Sequence, residues 1–286
     1  MKNQDLKNKY RLLVLVDLTQ KSDTALKNAI NLAKVINGTI EIFHVSPPAD
    51  VVRYENQLSA MRAITETHIT TEKKLLDLVL RISEEENVAI TYNFTFGNVK
   101  NEIHDHIQKT NPDIVVIGKR EKKLINFLED GITKFLLKKH SGIIMITGKE
   151  KMVQPDSDIS LGFYNNTDNV IDKNTVKIVK DLNKQPENPI KFFSIRKKSA
   201  SDKAKLAISR IKTACNFPNA VEYEFEESPY SIEGLSTYVY KNNVELLCIG
   251  RFNDNRGWLN KLVNRKSTMD NVIEKLNVSL LVTGGK

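Results

Sequence analysis

Residues 113–118 read DIVVIG, an unbroken apolar run closed by a glycine, and what surrounds it gives it meaning. A basic stretch follows, then a helical pattern, then a second apolar run at 142–147, GIIMIT. Residues 244–250, VELLCIG, open the same series again, and it closes on 278–283, VSLLVT. One supersecondary programme written twice predicts two similar domains on one chain. Parallel strands buried on both faces read as continuous apolar runs, so each sheet is expected to lie between helices.

The pattern extends outward from these runs. Residues 11–16, RLLVLV, predict a first buried strand with Asp17 at its carboxyl end. Ser22 or Asp23 stands where a helix cap belongs, and Ala25, Ala29, Leu32, Ala33 and Ile36 recur at helical spacing behind it. Residues 39–45, TIEIFHV, predict the second strand, stopped by Pro47-Pro48. A long helix carries Leu58, Met61, Ile64, Leu75, Leu76, Val79 and Ile82 as its apolar residues. A strand at 89–96, a helix at 99–108 and a helix around Phe127–Leu136 complete the first half. In the second half strands are expected at 159–163, 190–195, 220–225, 244–250 and 278–283. Helices are expected near 172–182, 202–215, 232–241 and 269–276. Residues 149–156, KEKMVQPD, are polar and contain Pro155, which places the domains at 1–150 and 151–286. Alternating strands and helices with short connections predict α/β architecture, two doubly wound parallel sheets.

Composition bounds the function. With 40% hydrophobic and 27% charged residues the 286-residue chain has material for two packed cores. No apolar stretch approaches the roughly 20 residues that span a bilayer. The opening MKNQDLKNKYR is polar, so no secretory leader is expected. Cys215 and Cys248 fit a reducing, cytoplasmic setting in which both thiols are simply packed. His104 and His106 are two apart on a predicted helix and point to different sides, so they predict no metal site. There is no GxxxxGK[ST], no GxGxxG behind the first strand and no zinc spacing, so an enzyme is not indicated.

VLVDLTQKSDTALKNAINLA, FHVSPP and NPDIVVIGKR, taken in order, resemble the universal stress protein family. The first half matches by order and spacing, the second by order alone, so the chain resembles the tandem, two-domain form. The resemblance implies five parallel strands in the order 3-2-1-4-5, an adenine nucleotide alpha hydrolase-like fold, with the domains paired through their fifth strands. It implies a stress-response or regulatory role, with ATP bound in one branch of the family and no nucleotide in another. Expected partners are a second copy of the chain and a signalling protein; neither a membrane nor nucleic acid is expected.

In open parallel sheets ligands sit beyond the carboxyl ends of the strands where strand order reverses, which places Asp17 and Gly118 at the crevice. The resemblance implies a phosphate loop, Gly-x2-Gly-x9-Gly followed by Ser or Thr. Gly118 and Gly131 hold its first and third positions, Glu121 replaces the second, and Thr133 stands one residue past the place of the hydroxyl. On this reading Asp17 meets a ribose or an adenine edge, Val45 offers a backbone carbonyl, and Gly118, Gly131 and Thr133 lie near the phosphates. Asp17 reads equally well as a cap or turn residue. A carboxylate about 4 Å from a phosphate charge costs roughly 4 kcal/mol at an effective dielectric near 20, so Glu121 predicts weak binding at most. Lys119, Arg120, Lys122 and Lys123 either offset that repulsion or form a solvated loop.

The second half departs further: Tyr164 or a neighbour replaces the acidic residue, and Asn253 the second glycine. Its loops are basic, with Arg196, Lys197 and Lys198 after one strand and Arg251, Arg256, Lys261, Arg265 and Lys266 after another. Two alternatives therefore stay open: a slow ATP hydrolase in the first half, and a polyanion site on these loops with Trp258 stacking on a base.

Overall fold

The computed structural model describes residues 9–19, 22–47, 57–86, 88–119, 131–148, 159–164, 173–183, 189–196, 209, 212–213, 217, 219–250 and 268–283. The chain divides into two compact units, residues 1–120 and 121–286.

The first unit contains β1 (Tyr10–Val16), α1 (Ser22–Ile36), β2 (Gly38–Ser46), α2 (Gln57–Glu86), β3 (Ile90–Phe96), α3 (Val99–Thr110) and β4 (Ile114–Gly118). Its strands lie in the order β3-β2-β1-β4, all parallel. Leu12, Leu13, Val14, Ile114, Val115 and Val116 are at most 1% exposed, which is why the central strands read as unbroken apolar runs. β3 is the outer strand of the order and is half-exposed along its length. Asn98 caps α3, its side-chain oxygen accepting from the Lys100 and Asn101 amides at 3.2 Å each. Asn111 ends the helix in the left-handed conformation (φ 45°), which asparagine tolerates better than most residues. Helix α1 packs on β1, β2 and β4, α2 on β3 and α3 on β2.

Helix α2 divides the residues that its sequence groups together. Leu75, Val79 and Ile82 are buried, whereas Leu58, Met61, Ile64 and Leu76 are exposed. Met61 and Val79, like Ile64 and Ile82, stand about five full turns apart on one face, so exposure changes along the helix, which apolar spacing does not reveal.

The second unit contains α4 (Ile132–Lys139), β5 (Ile143–Thr147), β6 (Leu161–Tyr164), α5 (Lys173–Leu182), β7 (Ile190–Arg196) and β8 (Ala220–Glu226). α6 (Ser231–Lys241), β9 (Leu246–Ile249), α7 (Thr268–Lys275) and β10 (Ser279–Val282) complete it. Strands β8-β7-β6-β9-β10 lie side by side and parallel, the 3-2-1-4-5 order complete within one repeat. β10 then pairs antiparallel with β5, Leu280 opposite Ile146 and Val282 opposite Ile144. The fifth strand of each half thus meets its counterpart, as the resemblance implied. Cys248 is buried in β9 as a thiol, outside any disulfide. The helix expected at 202–215 lies mostly outside the described residues, and so does the linker at 149–156.

Candidate functional site

Parallel pairing of β1 with β2 and with β4 makes β1 the strand at which the order reverses. The register sets Leu12 beside Ile114 and Val14 beside Val116, so Val16 and Gly118 end their strands at one level. Asp17 follows directly and is exposed, while Gly118 is half-buried. The carboxyl edge at the switch point therefore carries Asp17 at one strand end and Gly118 at the other.

The Asp17 carboxylate is engaged with its own loop. Its Oδ1 accepts from the Thr19 amide at 3.1 Å, the Thr19 hydroxyl at 2.6 Å and the Ser22 hydroxyl at 2.6 Å. The Asp17 amide donates back to Ser22 Oγ at 3.1 Å. Ser22, expected as a helix cap accepting from the first turn of α1, is instead turned toward Asp17. Between them Leu18 has φ 56°, a left-handed conformation costing about 1–2 kcal/mol for a residue with a Cβ. The hydrogen bonds around Asp17 offset that cost and fix the turn leaving β1. Asp17→Ala is accordingly expected to destabilise the first unit by about 1–2 kcal/mol, and Asp17→Asn, which keeps a carbonyl acceptor, by less. Urea denaturation measures both, and equal midpoints for wild type and Asp17→Ala would remove the loop-anchoring role.

Val45 lies near the end of β2 with its side chain buried. Its neighbour His44 ties two strand ends together. Nδ1 sits 2.9 Å from the Val16 carbonyl, and since a carbonyl only accepts, Nδ1 carries the proton. Nε2 is then left to meet the Ser46 hydroxyl at 3.1 Å. His44 lies within the predicted strand at 39–45, and a lone histidine there gives no signal of this bond.

Gly131 and Thr133 belong to the second unit and are described there. Gly131 precedes α4 in extended conformation with no capping side chain, and Thr133 is half-buried in the first turn. Glu121, like Arg120, Lys122 and Lys123, lies outside the described residues.

In the second unit β6 and β9 meet as β1 and β4 do, Gly162 beside Leu247 and Tyr164 beside Ile249. Aligning Ile249 with Ile117 makes Tyr164 the counterpart of Leu15, and the counterpart of Asp17 is Asn166, outside the described residues. Tyr164 is 1% exposed. Burial, with a further push from Glu227, raises its hydroxyl well above the ordinary tyrosine range. It is therefore a neutral core residue, not a substitute carboxylate. Of the basic residues in this half, Arg196 ends β7, while Lys197, Lys198, Arg251, Arg256, Trp258, Lys261, Arg265 and Lys266 lie outside the described residues.

The histidines expected to diverge do so: His106 is 9% exposed, stacked on Phe43 at 3.9 Å and bonded to Glu41 Oε1 at 2.9 Å, while His104 is half-buried elsewhere on α3. No metal-binding cluster occurs among the described residues. No helix among them is long and apolar enough to cross a membrane.

The order of strands and its reversal at β1 define a Rossmann-type, doubly wound α/β protein. A family model described as the universal stress protein family matches residues 10–141, and this half of the chain is a universal stress protein domain. A universal stress protein from Archaeoglobus fulgidus DSM 4304 is similar over 96% of both chains, with 16% identity and a TM-score of 0.73. A functionally unknown protein, PA1789, from Pseudomonas aeruginosa PAO1 is similar over 96% of this chain and 92% of its own, at 14% identity and TM-score 0.58. A putative universal stress protein from Pseudomonas aeruginosa UCBPP-PA14 gives the same coverage and identity at TM-score 0.57. At these identities the likeness is one of fold. No curated protein matches the sequence.

Proposed function

We propose that the chain is a non-catalytic regulatory protein of the stress response, built as tandem universal stress protein domains at 1–150 and 151–286. Nucleotide binds weakly, in the first domain alone. One observation carries this reading: at the switch point Asp17 Oδ1 already accepts three hydrogen bonds from its own loop. A ribose hydroxyl competing for that acceptor must displace or share an intramolecular bond, so the carboxylate contributes little net affinity. The carboxylate of Glu121 weakens the phosphate end further. A cytoplasmic location, a second copy of the chain and a signalling protein as partners fit the same reading.

Mass spectrometry of ligands extracted from freshly purified protein, followed by calorimetric titration with Mg-ATP, tests it. The expected result is no stoichiometric nucleotide after purification and an affinity that Glu121→Gly tightens at least tenfold, the equivalent of about 1.4 kcal/mol. Tight stoichiometric ATP in the wild type, or an unchanged affinity in Glu121→Gly, would overturn the reading. Sustained phosphate release would favour the hydrolase alternative, and steeply salt-dependent polyanion binding the basic-loop alternative.

A further inference from the structure

β3 is the outer strand of the first unit, and its ladder with β2 fixes which backbone groups its other edge presents. The Ile40 amide donates to the Ala89 carbonyl at 3.0 Å, and the Gly97 amide to the Ser46 carbonyl at 3.1 Å. The parallel register between these bonds runs from Ile40 beside Ile90 to Ser46 beside Phe96. Thr91, Asn93 and Thr95 therefore turn their amides and carbonyls toward β2. Ile90, Tyr92, Phe94 and Phe96 turn theirs outward, a donor and an acceptor at each. Among the described residues no strand lies on that side.

The composition of the edge leaves it open to pairing. Outer strands are ordinarily blunted by charge, proline or a bulge. β8, outermost in the second unit, carries Glu222, Glu224 and Glu226, all exposed. β3 reads ITYNFTF, seven residues with neither a charge nor a proline. Its faces also differ. The Phe94 and Phe96 rings lie 4.7 and 6.0 Å from the His68 ring of α2, so the residues whose backbone points outward face that helix. Thr91, Asn93 and Thr95 face the other way, where Thr95 meets Glu102 of α3. Tyr92, Phe94 and Phe96 are only half-buried, although α2 packs on their strand.

From this edge we infer that β3 takes up an extended segment of another protein as an additional strand, one that alternates apolar and polar residues. A row of donors and acceptors at strand spacing is matched by extended backbone. The apolar residues of the segment continue the row Tyr92, Phe94 and Phe96 beneath α2, and the polar ones continue Thr91, Asn93 and Thr95. A second copy of β3 does not fit. Antiparallel pairing of two copies keeps both α2 helices on one face, about one strand spacing of 4.7–4.9 Å apart, where packed helices need roughly 8–10 Å. Parallel pairing of two copies requires a one-residue offset that no two-fold axis supplies. The inference is independent of whether a nucleotide binds.

Fluorescence anisotropy of a labelled peptide titrated with the full chain tests it. The probe is a synthetic peptide alternating valine and threonine, with a lysine at each end for solubility. Antiparallel addition aims the valine amides at β3, and parallel addition the threonine amides. Saturable binding is expected, and N-methylation of one set of amides is expected to weaken it at least tenfold while methylation of the other set does not. Tyr92→Pro removes an outward amide that makes no bond to β2, so it too should weaken binding at least tenfold, with circular dichroism showing the fold kept. No saturation up to about 1 mM would overturn the proposal. So would equal effects of the two methylated peptides, or binding unchanged in Tyr92→Pro. Self-association in sedimentation that Tyr92→Pro abolishes would also overturn it, by giving the edge to a second copy.

Discussion

Phe193→Ala is expected to cost the second unit a large share of its stability. Phe193 is 0% exposed in β7, a strand held between β6 and β8, with Tyr164 and Tyr223 as its register partners. Its ring stacks on Tyr223 with centroids 5.4 Å apart. On the other side it covers Gly162, where an added Cβ would lie 3.0 Å from the Phe193 ring edge. Aromatic ring and missing side chain are thus complementary. Truncation of a buried phenylalanine costs about 3–5 kcal/mol through lost transfer energy and the remaining cavity. Whole domains are stable by only about 5–15 kcal/mol, so the loss is a large share. Amide hydrogen exchange resolved to peptides covering β6 to β9 should report protection reduced by about two to three orders of magnitude. Phe193→Leu, which keeps much of the volume, should lose far less. Protection unchanged in Phe193→Ala would mean that β7 is not the centre of this core.

Gly148→Ala is the second large effect, and its cause is backbone rather than cavity. Gly148 follows β5 and lies under the chain entering β10, where an added Cβ would stand 2.6 Å from the Val278 carbonyl carbon and 2.8 Å from the Ser279 nitrogen. Real Cβ atoms do not approach this closely, and main chain cannot swing aside as a side-chain tip does. Overpacking of this kind costs about 1–3 kcal/mol, sometimes more. The shift also threatens the buried bond from the Gly148 amide to Ser279 Oγ, 3.0 Å long, whose loss leaves a buried polar group unsatisfied at about 1–3 kcal/mol. The combined expectation is a loss of about 3 kcal/mol, read as a lower urea midpoint and faster exchange of the amides in β10. Ser279→Ala removes the acceptor alone and should cost roughly a third as much. A Gly148→Ala midpoint equal to wild type would show that the junction has room.

The strands were plain in the sequence because a parallel strand buried on both faces must be apolar throughout, and DIVVIG and VELLCIG have no other reading of comparable strength. Reversal of strand order at β1, and with it the placement of Asp17 and Gly118, was implied by the resemblance to the universal stress protein family. What side chains do at the strand ends did not follow. An aspartate after a strand is compatible with a ligand or with a turn, and its bonds to Thr19 and Ser22 depend on a loop conformation that no local pattern specifies. His44 gave no sign of reaching the Val16 carbonyl, because that bond depends on two strands being neighbours. Tyr164 was taken with its neighbours as a stand-in for the acidic residue, and the β6–β9 register moves that role to Asn166. In α2 the sequence supplied the apolar residues but not which of them are covered, since Met61 and Val79 share one face and differ only in their place along the helix.

The antiparallel ladder of β5 with β10 has a consequence for the protein's behaviour in a cell. Both strands lie on one polypeptide, so the effective concentration of one for the other is fixed by the connecting chain and does not fall on dilution. Proteins that make such a seam between separate subunits exchange those subunits and mix with close relatives. Here the choice of mate is made at synthesis, and the two halves are free to diverge in sequence because neither must also recognise itself.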